Sequence, residues 1–99
     1  MATNFYDLGT LTSATTTSPV TIQEAYDGHQ GIFRYYPSDD ANLTIKLQGS
    51  DDGGSSWTDV QAISDPDYPY AYKVTLYRQM RLNCTAFTAG KGGGAIEPL

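Results

Sequence analysis

The stretch Leu43-Thr44-Ile45-Lys46-Leu47-Gln48-Gly49-Ser50-Asp51-Asp52-Gly53-Gly54-Ser55-Ser56-Trp57-Thr58-Asp59-Val60 decides the fold class. Leu43, Ile45 and Leu47 alternate with Thr44, Lys46 and Gln48, the period-two pattern of a strand with one buried face. The alternation breaks at Gly49–Ser56, a run of turn-forming residues, and resumes at Trp57-Thr58-Asp59-Val60. The sequence therefore predicts a strand, a hairpin loop and a returning strand. Trp57 is expected to cover the open end of the core while its indole N–H reaches a partner. Nothing in the stretch is arranged for catalysis.

Outward from this hairpin the chain repeats the theme. Helical spacing of apolar residues is nearly absent, and Ile22–Tyr26 is the single short candidate for one or two turns. Phe5-Tyr6-Asp7-Leu8, Pro19-Val20-Thr21-Ile22 and Gly31-Ile32-Phe33-Arg34-Tyr35-Tyr36 read as short strands, the last stopped by Pro37-Ser38-Asp39-Asp40. Between Tyr70 and Phe87 lie two alternating runs. Tyr72, Val74 and Leu76 share one face of the first run, and Met80, Leu82, Cys84 and Ala86 share one face of the second. Tyr77-Arg78-Gln79 forms the bend between them. Strands at intervals of roughly 8–12 residues point to an all-β sandwich or small barrel in one domain. Residues 1–18 are a possible N-terminal arm, and residues 90–99 a Gly-linked tail or a last strand.

The 99 residues suit one modest core. Only 17% are charged, and polarity comes mainly from Thr, Ser, Gly, Gln and Asn, as on a sheet surface. A net charge of −5, with six scattered cations, argues against a phosphate-backbone binder. The single Cys84 leaves stability to packing or assembly. No secretory signal or membrane-length apolar run is visible, so synthesis in a cytoplasm is expected.

Leu47–Val60 resembles the "LQGSxDGGxxW" hairpin of small β-sandwich proteins from tailed bacteriophages. Tyr77-Arg78-Gln79-Met80-Arg81-Leu82-Asn83-Cys84-Thr85-Ala86 resembles the "YRyvRlnvta" strand that follows it there. In this chain Gln79 and Met80 replace an apolar pair, and Cys84 replaces an aliphatic residue. The resemblance spans about residues 31–96. The hairpin also occurs in galactose-binding-like and other jelly-roll modules, so the expected fold is a single antiparallel β-sandwich of jelly-roll type. The implied function is structural: a virion protein decorating the exterior of the head by binding the major capsid protein, without cofactor or metal. A small body of this kind is expected to self-associate, a trimer being one form. A tail or tail-fibre component and a carbohydrate-binding module are the alternatives.

Each candidate site residue also has a plainer role. Asp51-Asp52-Gly53-Gly54 lacks the spaced ligands of a calcium loop and reads as a turn. His29 and Cys84, each the only one of its kind, are expected exposed and buried respectively, which leaves no nucleophile–base pair. Tyr68, Tyr70 and Tyr72, beside Pro66 and Pro69, with Phe5 and Tyr6 in the arm, are the candidate partner-binding residues. Tyrosines on a rigid loop bury large area at low entropy cost, and the plainer role is to close one end of the sandwich.

Overall fold

A computed structural model of the chain describes residues 6–64 and 71–99. Among these residues eight strands run β1 Tyr6–Leu11, β2 Val20–Thr21, β3 Gln30–Pro37, β4 Asn42–Ser50, β5 Thr58–Ser64, β6 Ala71–Thr75, β7 Gln79–Ala89 and β8 Gly92–Pro98. Among the described residues one 3₁₀ turn, Glu24–Tyr26, lies between β2 and β3, inside the short helical candidate. Sheet A has the order β1-β8-β3-β6 and sheet B the order β2-β7-β4-β5, with every named pairing antiparallel.

This order has a simple origin. The pairs β4·β5, β3·β6, β2·β7 and β1·β8 are those of one long hairpin whose tip is the β4–β5 loop. Alternate pairs fall into opposite sheets, and the contacts β7·β4 and β8·β3 close each sheet. The result is an eight-stranded jelly roll. The hairpin at Leu43–Val60 is the point from which the other pairs stack outward.

The core lies between the sheets. Leu43, Ile45 and Leu47 of β4, Met80, Leu82 and Cys84 of β7, and Ile63 of β5 face Leu8, Phe33, Tyr35, Val74 and Ile96 from sheet A. Ala86 departs from its expected face. Between Thr44 and Ile45 the register with β7 slips by one residue, so Ile45 opposes Cys84 while Thr44 opposes Ala86. The bulge turns Ala86 outward, where it is exposed, and returns Phe87 to the core side.

Both termini of the described chain differ from a frayed-end reading. β1 carries Leu8 and Leu11 into the core. Thr15 and Thr17 then pair with β7: Cys84 N donates to Thr15 O at 2.8 Å, and Thr17 N to Leu82 O at 2.9 Å. Of the two readings of residues 90–99, the last strand is the one found: Gly90 and Lys91 connect to Gly92–Gly94, which open β8, an inner strand of sheet A. The glycines there are packing sites. A Cβ on Gly94 would stand 2.5 Å from the Phe33 ring, and one on Gly93 would stand 2.3 Å from the Gly9 carbonyl. Aromatic rings laid over the strand supply the contacts that its own side chains do not.

Candidate functional site

Two local devices shape the hairpin loop that leads into Trp57. Ser50 Oγ receives Gly54 N at 3.0 Å and donates to Asp52 Oδ1 at 2.7 Å. Asp52 in turn accepts from Ser56 N at 3.0 Å and Ser56 Oγ at 2.5 Å. These bonds stabilise the ionised carboxylate and hold its pKa well below the ordinary aspartate range. Gly53 and Gly54 take the positive φ values, 74° and 92°, that the turn requires. The acidic pair therefore organises the loop, as the turn reading expects. Asp51 Oδ1 meanwhile accepts Arg78 N at 3.2 Å, tying the loop to the β6–β7 connection.

The loop delivers Trp57 to the outside of sheet B rather than to the core, which corrects the sequence expectation. Tyr77 closes that end of the core instead: it packs against the buried cluster and covers Gly49, where a Cβ would stand 2.3 Å from its ring. Trp57 is half-buried, with the Arg81 guanidinium 4.1 Å from its ring centroid. Two registers place this contact. Gln48 opposes both Arg81 of β7 and Asp59 of β5, so all three side chains share one rung on the outer face. Asp59 reaches the rung because a bulge leaves Val60 unopposed, with Leu47 facing Gln61 and Gln48 facing Asp59.

The rung is hydrogen-bonded from end to end. Arg81 Nε donates to Gln48 Oε1 at 2.9 Å, and Gln48 Nε2 donates to Asp59 Oδ1 at 2.8 Å. Lys46 Nζ completes it by donating to Asp59 Oδ2 at 3.1 Å. Bonds from Gln48 and then Lys46 lower the Asp59 pKa. Gln48, although it points outward, is only 8% exposed beneath its neighbours. Sequence alternation placed Lys46 and Gln48 on the outer face but carried no sign that Trp57 and Arg81 would join them.

The other predicted residues are distributed differently. Tyr6 is half-buried against the core, and its hydroxyl accepts from Gln23 N at 3.2 Å, joining β1 to the segment after β2. Tyr72 stacks on Phe33, ring centroids 6.2 Å apart, and burial raises its pKa. Both side chains pack against the buried core cluster. Phe5, Tyr68 and Tyr70 lie outside the described residues. Cys84 is buried and its thiol pKa is pushed up by burial, whereas His29 is exposed before β3. No hydrogen bond joins them among the described residues.

All four sheet edges carry features that discourage strand addition. In β1 a bulge follows Asp7, whose Oδ1 takes the Gly9 N–H at 2.9 Å. The named β2 strand has two residues, β5 is bulged at Val60, and β6 places exposed Lys73 at its midpoint. Bulges, shortness and edge lysines are ways to blunt an edge. The broad faces remain as the larger contact surfaces, the Cα envelope measuring 37 × 33 × 17 Å.

Comparison of the chain with protein-family models, curated proteins and solved structures gives no match.

Proposed function

We propose that this protein is a non-enzymatic structural component of a tailed-phage virion, a head decoration protein that binds the major capsid protein and stabilises its lattice. The observation that carries the reading is the Leu47–Val60 hairpin, whose likeness to the phage sandwich proteins extends through Tyr77–Ala86. The jelly-roll strand order supports it as a fold of the expected kind. Function on such a fold resides in its surface, so the mechanism is binding without chemistry. Many copies on a regular lattice add weak contacts into a strong attachment.

Quantitative mass spectrometry of purified particles, counting this chain against the major capsid protein, tests the proposal. Hundreds of copies per particle support a decoration protein. A few or a few tens move the chain to the tail, and absence from particles overturns the virion reading. The outward Trp57 favours a second reading, a saccharide-binding face with the indole as platform. Trp57 is the only tryptophan, so a saturable change in its fluorescence on titration with oligosaccharides reports that activity directly.

A further inference from the structure

We propose that the outer face of sheet B, centred on the Trp57–Arg81 stack, is the docking surface of this protein, and that its partner is a protein presenting a carboxylate to Arg81. The inference rests on the virion reading and names the contact face within it.

Two ion pairs occur among the described residues, Arg34–Glu97 and Lys46–Asp59, and neither includes Arg81. Arg81 is half-buried, and its one side-chain hydrogen bond among the described residues leaves through Nε to the neutral amide of Gln48. Gln48 thus stands between the guanidinium and the nearest acid on the rung, Asp59, which Lys46 already neutralises. Arg81 is thus the one charged group on this rung without an opposite charge beside it, on a chain whose total is −5. The Nη groups present a planar donor fork suited to a carboxylate's two oxygens.

Composition and order point the same way. Tryptophan and arginine are the residues most enriched at the energetic centres of protein interfaces. Here they are stacked on each other, and the Trp57 ring is not spent on the core. The Arg81–Gln48–Asp59–Lys46 chain locks the rotamers before any partner arrives, which lowers the entropy lost on binding. A sheet face of this breadth can supply the roughly 800 Å² per partner of a standard interface. Sheet A offers less: its outer face has Gly93 and Ala95 on the middle strand, and Arg34 there is already paired with Glu97 at 3.5 Å.

Hydroxyl-radical footprinting of the free chain and of purified particles containing it tests the assignment, read at Trp57 for sheet B and at Tyr36, 54% exposed, for sheet A. Trp57 oxidation is expected to fall several-fold in the particle while Tyr36 stays within about twofold, since docking excludes water from the centre of an interface. Undiminished Trp57 oxidation in particles that carry the chain overturns the inference and leaves the virion reading intact. Protection of Tyr36 alone, or of both faces alike, also overturns it. A chain missing from particles removes the reading on which it rests, and saccharide-saturable Trp57 fluorescence without protection reassigns the face to a glycan.

Rebinding to particles stripped of the chain supplies the second arm. Arg81→Lys, which keeps the charge but not the fork, is expected to weaken rebinding about tenfold. Tyr36→Phe is expected to rebind normally. Thermal melts show whether each variant is folded, and undiminished rebinding of folded Arg81→Lys overturns the carboxylate contact.

Discussion

In sheet A the inner strand β8 turns Gly92 and Gly94 toward the core and Gly93 to the outer face, close against β1. In sheet B the inner strand β4 brings Leu43, Ile45 and Leu47 to the inside and Lys46 and Gln48 to the outside. Both strands are deeply packed, by opposite means. β4 fills its share of the core with its own side chains. β8 leaves room for the Phe33 and Tyr35 rings of the neighbouring strand and lets β1 approach from the other side. A strand can thus be central because of what it contributes or because of what it omits. Only the first kind advertises itself by alternation.

Mutations separate the two designs. Phe33→Ala is expected to have the largest effect, about 3–5 kcal/mol lost in urea unfolding, because it empties a fully buried position and uncovers Gly94. Gly93→Ala should follow at about 1–3 kcal/mol, since the clash is with backbone that cannot rotate away. A loss well under 1 kcal/mol for Gly93→Ala would break the comparison and return β8 to the flexible link its composition suggests.

On sheet B, Gln48→Ala removes the centre of the rung and is expected to cost about 1 kcal/mol, because water can reach the two groups it leaves. Trp57→Ala is the sharper case. Outside the core it should cost about 0.5–1 kcal/mol, the scale of a surface cation–π contact, against about 3–5 kcal/mol for a buried tryptophan. The larger figure in an unfolding titration would place the ring inside after all.

The smallest expected effect is a pH dependence. Asp52 and Asp59 have folded pKa values below the unfolded aspartate value of about 3.9. Their contribution is therefore present above that value and fades as pH falls through the lower folded values. Asp27 has the opposite sign: its pKa is raised by burial and by neighbouring Asp51, so its ionised form opposes folding near neutrality and protonation relieves that. Urea midpoints between pH 7 and pH 2 should fall less steeply in Asp52→Asn and Asp59→Asn than in the wild type, and more steeply in Asp27→Asn.

The parts of the fold that were legible share one property. Leu43–Leu47, Met80–Cys84 and the Asp51–Ser56 turn are each specified by residues within a few positions, so period two and turn chemistry reveal them. Trp57 and Ala86 were misplaced because bulges and loop paths reset which way a side chain points, and a one-residue slip reverses a face. The polar rung was half legible: Lys46, Gln48 and Asp59 lie on either side of the hairpin loop. Arg81 comes from a strand 33 residues away from its partner Gln48, and only pairing in sheet B brings it there.

By itself the sequence determined an all-β chain, the β4–β5 hairpin, a buried Cys84 and an acidic charge balance, all consequences of local patterning and composition. The tertiary structure decided the jelly-roll strand order, the use of three glycines as an inner strand, and the assembly of Trp57, Arg81, Gln48 and Asp59 on one face. Those features depend on which distant strands become neighbours. That choice is made by how the whole set of side chains packs, not by any short segment of the chain.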